Sequence, residues 1–232
     1  MDVVKNAWEV QNDEQALLAL AGHNTLEEFE RDRRNRADQI VRICVVTKNS
    51  RGFEIGSGEG TVARILADQC LFLDCNDIST SFLERARATC AQHNNVAFHK
   101  VESDYLDYLP AASYDFGFAL NAFIHFNPYD IYNYLKSAER LLKPDGRFFF
   151  DACTIGEQTI SLFLEHAEMY RQKPENVRGY LNFNHPNVLR AIIREVGLEL
   201  SDQSEISESG WMRVLVIKKA DAKSKGVWPF RR

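Results

Sequence analysis

A glycine-rich turn between an apolar segment and a helical one constrains this chain more than any other feature of its sequence. Residues 51–67 read RGFEIGSGEGTVARILA, in which Gly56, Gly58 and Gly60 follow a short apolar run. From Thr61 onwards, apolar residues recur at helical spacing. The stretch therefore predicts a strand, a tight turn and a helix, with glycines that allow positive φ and let a ligand lie against the backbone. The N-terminus of that helix would favour an anionic or carbonyl-bearing ligand.

The chain after this turn alternates predicted strands and helices. The further predicted strands are residues 71–74, 96–101, 114–120 and 147–150, and the predicted helices are 79–93, 129–142 and 186–197. This alternation gives an α/β fold with a doubly wound, mostly parallel sheet, whose ligands collect at the carboxyl ends of the strands. Residues 198–201 and 211–217 predict an antiparallel C-terminal hairpin, so we expect seven strands in all.

Two terminal segments and one internal segment fall outside the alternation. Residues 1–48 carry helical patterns and a capping box at Thr25–Glu28. We expect them to form a helical N-terminal cap in which the arginine-rich middle of the second helix is exposed. The main domain is predicted to span residues 49–220, with a lid-like insertion at about residues 154–184. A basic tail, residues 221–232, follows.

Composition and charge narrow the classes of function. The 232 residues, 45% of them hydrophobic, suffice for one substantial core with appendages. The chain has 33 acidic and 28 basic residues, a formal net charge of −5, which argues against nucleic acid as the main partner. No stretch predicts a signal peptide or a membrane span, and we expect a cytoplasmic protein. The five cysteines include no C-x-x-C pair, so neither disulfides nor a zinc site is predicted.

The glycine spacing differs from that of dinucleotide sites. Their fingerprint is G-x-G-x-x-G, whereas here the third glycine comes one residue early and Thr61 stands where the last glycine would be. On this spacing alone an NAD site and a purely structural turn stay open. An acidic residue followed by G-x-G-x-G, as in Glu54–Gly60, closely resembles the first motif of the class I, Rossmann-like, S-adenosylmethionine-dependent methyltransferases. The resemblance implies that S-adenosyl-L-methionine is the cofactor and that its methionine part packs against Gly56, Ser57, Gly58 and Gly60. Glu54 would hold the cofactor's ammonium group or the loop.

An acidic residue after the second strand extends the resemblance. Asp77 lies 17 positions after Gly60, where a carboxylate can accept hydrogen bonds from both hydroxyl groups of a ribose. Asp74 is the competing candidate, because it ends the apolar run directly. The sequence Asp77-Ile78-Ser79 before a helix resembles the second motif of the family, which favours Asp77 and Ile78 as cofactor contacts.

The ends of the third and fourth strands continue the pattern. Asp104 and Tyr105 resemble a family segment in which an aspartate accepts from the adenine amino group and the next backbone N–H meets a ring nitrogen. The end of the fourth strand faces the transferable methyl group in this family, which implies Asn121 as a cofactor contact and Phe123 as an acceptor contact. His125 is the candidate general base, because a pKa near neutrality suits proton abstraction; it could instead only orient the loop.

The methyl acceptor is expected to be a small, largely apolar metabolite beneath the cap and the insertion. Tyr180 is a candidate acceptor contact, and so is Trp8, which could instead be a packing anchor. No metal site is predicted, because Asp151 alone stands where a magnesium-dependent site of this fold needs several acidic residues. The predicted reaction methylates an oxygen or nitrogen of the acceptor and leaves S-adenosyl-L-homocysteine. A methyltransferase of RNA or protein, or an inactive cofactor-binding scaffold, is the alternative, and the oligomeric state is not predicted.

Overall fold

A seven-stranded sheet organises the computed structural model, which describes residues 8–12, 25–102, 105–172 and 181–220. The strands are β1 (Arg51–Ile55), β2 (Phe72–Asp77), β3 (Val96–Lys100), β4 (Tyr114–Ala119), β5 (Leu142–Cys153), β6 (Glu199–Leu200) and β7 (Trp211–Ile217). Their order is β3-β2-β1-β4-β5-β7-β6. The first five strands are parallel, whereas β7 runs antiparallel to both β5 and β6. The predicted α/β fold with an antiparallel C-terminal hairpin is confirmed.

Helices cover both faces of the sheet. They are α1 (Leu26–Ile43), α2 (Thr61–Ala67), α3 (Thr80–Thr89), α4 (Pro128–Leu141), α5 (Ile160–Gln172) and α6 (Pro186–Glu195), and a 3-10 turn spans Phe123–His125. One core cluster joins α1 and α2 to one face of the sheet. A second cluster joins α4 and α6 to the opposite face, so the strands are buried on both sides, as parallel strands usually are.

Two strands are longer than the sequence predicts. β2 continues to Asp77, because Asn76 is fully buried with its side-chain N–H groups bonded to the carbonyls of Glu54 and Asp74, at 2.8 and 3.0 Å. β5 begins at Leu142, because a shift in register between β4 and β5 accommodates the predicted turn at 143–146 inside the strand. Hydrogen bonds made by residues beyond the apolar runs therefore extend both strands past their predicted bounds.

The predicted exposure of the arginine-rich middle of α1 is wrong for Arg33. Phe29, Arg33, Ala37 and Ile40 recur every three or four residues and form the buried stripe of the helix. The Arg33 side chain is therefore buried, with its guanidinium 4.7 Å from the centre of the Phe29 ring. The helix turns this arginine towards the sheet because the residues on either side of it along the stripe are apolar.

The domain boundaries given above stay predictions. Parts of the N-terminal cap, residues 1–7 and 13–24, and the basic tail, residues 221–232, lie outside the described residues. The insertion is described at 154–172 and 181–184, and α5 within it has no buried residue. Among the described residues, no helix is both long enough and apolar enough to cross a membrane.

Candidate functional site

A cavity of about 580 Å³ opens at the carboxyl ends of the parallel strands. Its floor is formed by the glycine turn after β1, the end of β2 and the segment after β4, and α1 contributes to its wall. Its volume lies within the range of roughly 300–1,000 Å³ that is usual for small-molecule sites. The predicted site residues that line it are Trp8, Glu54, Gly56, Ser57, Gly58, Asp77, Ile78, Asn121 and His125.

The glycine turn adopts the left-handed backbone that the sequence predicts. The φ angles of Gly56, Gly58 and Gly60 are 75°, 52° and 78°. A Cβ atom at Gly56 would come within 2.7 Å of the Cβ of Ala122, so a side chain is excluded on steric grounds as well. Gly60 is the N-cap of α2 and packs towards Ala86; it is not among the cavity residues, unlike the other two.

Asp77 rather than Asp74 faces the cavity. One carboxylate oxygen of Asp77 accepts the Gly58 N–H at 2.8 Å, and the other accepts the Ser79 N–H at 2.9 Å. Burial raises the pKa of Asp77, and these two hydrogen bonds oppose the rise. Asp74 instead accepts from the Tyr114 hydroxyl at 2.8 Å and is 2.7 Å from a ring nitrogen of His99.

Two polar side-chain atoms in the cavity wall are buried without a hydrogen-bond partner among the residues that the structure describes. They are Glu54 Oε2 and Ser57 Oγ. Burial raises the pKa of Glu54 to about 8, and the negative charge of the nearby Asp77 adds to the rise. A hydrogen bond with the Cys75 side chain and the positive charge of Arg33 lower this pKa in part. Because an unsatisfied buried polar group costs roughly 1–3 kcal/mol, these atoms indicate a site that a polar ligand completes.

A polar network joins α1 to the ends of β4 and β5. Asn121 has a left-handed φ of 54°, and its N–H donates to the two carboxylate oxygens of Asp151 at 2.8 and 3.0 Å. With its amide oriented to satisfy its hydrogen bonds, the Asn121 side chain donates to Asp151 at 3.1 Å and accepts from Arg33 at 3.3 Å. Arg36 lies 3.7 Å from Asp151. Burial lowers the pKa of Arg33 and raises that of Asp151, while the opposite charges of Arg33 and Asp151 offset both effects.

Arg33 is the main cavity residue absent from the sequence predictions. It places a buried cation in the wall that also contains Glu54. The helical spacing of Arg33 with Phe29, Ala37 and Ile40 is the signal that could have identified it. Aromatic side chains that were likewise not predicted line the same cavity, namely Phe29, Phe82, Phe126, Tyr134 and Trp211.

His125 stands at the end of the 3-10 turn and contacts the N-terminal segment. The rings of His125 and Trp8 are 4.8 Å apart and meet edge to face. Asn182 supports the turn from the insertion: its backbone N–H donates to the Ile124 carbonyl at 2.8 Å and its side chain donates to the His125 carbonyl at 2.5 Å. Asn184 donates to the next carbonyl, that of Phe126, at 2.9 Å.

Besides Gly60, two predicted residues do not line the cavity, and two lie outside the described residues. Phe123 is fully buried with its ring 4.6 Å from that of Phe150, so the predicted acceptor contact is corrected to a core position. The Tyr105 hydroxyl donates to Asp130 at 3.1 Å, away from the cavity wall. Asp104 and Tyr180 lie outside the described residues. No group of three or more potential metal ligands occurs among the described residues.

A family model of known proteins matches a part of this chain that includes the glycine turn. Residues 53–146 match a family model described as a methyltransferase domain. An S-adenosyl-L-methionine-dependent Diels-Alderase of Talaromyces variabilis is 28% identical over 119 residues, which cover 50% of this chain and 40% of that protein. The ubiquinone biosynthesis O-methyltransferase of Acinetobacter baylyi is 25% identical over 154 residues, which cover 65% of this chain and 64% of that protein. The matched part thus spans less than two thirds of the length of either relative.

Solved structures share the fold over nearly the whole chain. Magnesium protoporphyrin IX methyltransferase of Synechocystis, solved with bound S-adenosylhomocysteine, has a TM-score of 0.63 and 12% identity over 94% of this chain and 93% of that one. Geranyl diphosphate C-methyltransferase of Streptomyces coelicolor has a TM-score of 0.65 and 9% identity over 94% of this chain and 97% of that one. At these identities the likeness shows a common fold.

Proposed function

We propose that this chain, in which residues 53–146 match a methyltransferase domain, transfers a methyl group from S-adenosylmethionine to an oxygen or nitrogen atom of a small metabolite. One observation carries the proposal. The glycine turn, the Asp77 carboxylate and the unpartnered Glu54 and Ser57 oxygens converge on one cavity at the carboxyl edge of the sheet. Ligands bind at this edge in open α/β sheets.

The residues in the cavity wall fit the functional groups of the cofactor. Glu54 Oε2 lacks a partner and would accept a hydrogen bond from the ammonium group. The Arg33 guanidinium would donate to the carboxylate, and Ser57 Oγ supplies a further polar contact. Each oxygen of Asp77 accepts one backbone N–H and retains a lone pair for a ribose hydroxyl. Acidic and basic side chains thus face a ligand that carries both positive and negative groups.

The remaining wall is aromatic and suits the acceptor. The cofactor, when bound, would supply an electrophilic methyl group; the acceptor atom would bond to the methyl carbon in line with its bond to sulfur, which breaks to leave S-adenosylhomocysteine. Trp8, Phe29 and Trp211 would hold the acceptor and exclude water, and positioning of this kind contributes up to roughly 7–11 kcal/mol in ideal cases. We assign His125 the role of accepting the acceptor's proton through a ring nitrogen, as a general base.

The same proposal extends to segments that the structure describes only in part. Residues 1–48 and the insertion at 154–184 would cap the acceptor, and Tyr180 would contribute to that cap. The acidic balance of the chain supports a small acceptor rather than a nucleic acid. The cytoplasmic location expected from the sequence stays a prediction.

Transfer of a labelled methyl group identifies the acceptor class. The full-length protein is incubated with methyl-labelled S-adenosylmethionine and a cell extract that is then separated into small-molecule, RNA and protein fractions. We expect label in the small-molecule fraction, abolished by excess S-adenosylhomocysteine, and NMR of the labelled product distinguishes a methylated oxygen or nitrogen from a methylated carbon. Label confined to RNA or protein would contradict the small acceptor. No label in any fraction would contradict the enzymatic proposal.

A further inference from the structure

A short N-terminal segment is anchored to the start of α3. In this N-terminal strap, residues 8–12, one carboxylate oxygen of Glu9 accepts the Thr80 N–H at 2.8 Å. The other oxygen accepts the Ser81 N–H at 3.0 Å and the Ser79 hydroxyl at 3.3 Å. Glu9 therefore occupies the N-terminus of a ten-residue helix with three hydrogen bonds from residues some 70 positions away in sequence.

The chemistry of this contact favours a carboxylate. The first N–H groups of a helix have no partner within the helix, and the positive end of the helix dipole lies there. Ser79 caps the Phe82 N–H, which leaves the N–H groups of Thr80 and Ser81 for Glu9. Hydrogen bonds to an ionised acceptor are stronger than bonds between neutral groups. Glu9 thus attaches the strap to α3 through three hydrogen bonds, and the Val10 N–H adds a bond to the Ser81 hydroxyl at 2.8 Å.

The attachment determines where Trp8 lies. Trp8 directly precedes Glu9, lines the cavity and packs with Val10 and Phe82. Its ring also meets the His125 ring on the turn after β4. The N-terminal strap therefore runs between the two sides of the cavity mouth, from the helix that follows β2 to the turn that follows β4.

Ser79 connects the strap to Asp77, the predicted ribose contact. The Ser79 N–H donates to Asp77, and the Ser79 hydroxyl lies within hydrogen-bond distance of Glu9. Any ligand that fixes the Asp77 carboxylate therefore also favours the Ser79 conformation that the Glu9 contact uses. Binding at Asp77 and attachment of the strap are expected to reinforce each other.

We propose that Glu9 is a positioning residue that holds Trp8 across the cavity against His125 and so slows the release of a bound cofactor. The inference rests on the proposed function for the identity of the ligand. The position of Trp8 does not depend on that identity, because the hydrogen bonds of Glu9 and the ring contact with His125 join residues of the chain itself.

The dissociation rate of S-adenosylhomocysteine tests the retention of the cofactor. Glu9→Gln keeps the size of the side chain but replaces one acceptor oxygen by an N–H₂ group that faces a backbone donor. We expect the dissociation rate, measured by chasing labelled S-adenosylhomocysteine from the full-length protein, to rise about tenfold, with an association rate within twofold of wild type. The matched control is Glu28→Gln, because Glu28 likewise accepts a backbone N–H at a helix N-terminus, that of Thr25, and is exposed. This control is expected to leave both rates unchanged.

Acrylamide quenching tests the position of Trp8 without any ligand. The Trp8 signal is the fluorescence difference between each protein and the same protein carrying Trp8→Phe. We expect acrylamide to quench this signal more strongly in Glu9→Gln than in wild type or Glu28→Gln. Failure of S-adenosylhomocysteine to bind the wild type would overturn the proposed function and the retention of the cofactor, while quenching still decides whether Glu9 positions Trp8. If the cofactor binds and Glu9→Gln releases it at the wild-type rate, or if quenching is unchanged, the inference is wrong. A purely structural role of Glu9 would lower the thermal midpoint and move neither readout.

Discussion

At the scale of the single residue, Glu54 is a cavity side chain whose burial lowers the stability of the fold. Glu54 is 3% exposed, one of its carboxylate oxygens has no hydrogen-bond partner among the described residues, and burial raises its pKa to about 8. A cation in the cavity would favour the carboxylate and lower this pKa. Glu54 therefore lowers the stability of the fold and also offers a carboxylate to which a cationic ligand can bind.

Glu54→Gln is expected to change the pH dependence of stability. The pKa of about 8 in the folded state exceeds the ordinary value of 4.5, so the folded state holds the proton more tightly. This contribution to stability is fully present below pH 4.5 and is lost as the pH rises through 8. In urea unfolding, the variant should match wild type at pH 4 and exceed its free energy of unfolding by roughly 1–3 kcal/mol at pH 8. It should also bind S-adenosylhomocysteine more weakly. Parallel pH curves for the two proteins would contradict this account.

His125→Gln tests the proposed general base. The substitution removes the imidazole ring while leaving Asp77 and the glycine turn unchanged. With the acceptor identified by label transfer, we expect kcat to fall roughly 10²–10⁴-fold and the affinity for S-adenosylhomocysteine to stay within a few-fold of wild type. His93→Gln, at a histidine outside the cavity, serves as the control. A loss of kcat below about fivefold would assign His125 an orienting role instead.

At the scale of the element, the 3-10 turn carries His125 and is held by the insertion. The carbonyls of Ile124, His125 and Phe126 each accept a hydrogen bond from Asn182 or Asn184. These contacts join segments more than 50 positions apart in sequence. The insertion thus orients the turn, in addition to its predicted role of covering the methyl acceptor.

Asn182→Ala should disturb this turn without disturbing the cofactor contacts. It removes the side-chain bond to the His125 carbonyl and retains the backbone bond to Ile124. We expect kcat to fall about tenfold, because a net hydrogen bond of about 1 kcal/mol and the alignment of His125 are both lost. The control is Asn133→Ala, whose side chain donates to the Tyr129 carbonyl on the exposed face of α4. An equal effect of both variants on kcat would argue against a positioning role for Asn182.

What the sequence reveals of these elements depends on how local the cause is. The glycine turn and the placement of Asp77 were predictable, because backbone conformation and the spacing from strand to helix determine both. Arg33 was not predicted, because its burial depends on the packing of α1 against the sheet. Phe123 was misassigned, since the position of a residue near the end of a strand does not reveal which way its ring points.

At the scale of the whole molecule, the cavity is assembled from segments that are distant in sequence. The N-terminal strap, α1, the ends of three strands and Trp211 at the start of β7 all contribute to its wall. The network of Arg33, Asn121 and Asp151 connects α1 to the strand ends. The matched methyltransferase domain, residues 53–146, contains the predicted cofactor contacts, whereas Trp8, Phe29, Arg33 and Trp211 lie outside it. Sequence motifs therefore identify the cofactor better than they identify the acceptor.

Titration calorimetry measures whether the cavity binds S-adenosylhomocysteine, the product of the proposed reaction. We expect saturable binding of one molecule per wild-type chain. Gly58→Val should lose this binding, because Gly58 has a φ of 52°, faces the cavity and donates its N–H to Asp77. Its far-UV circular dichroism should stay that of wild type, since a side chain at positive φ costs only about 1–2 kcal/mol. Absence of binding to the wild type, or undiminished binding to Gly58→Val, would contradict the account.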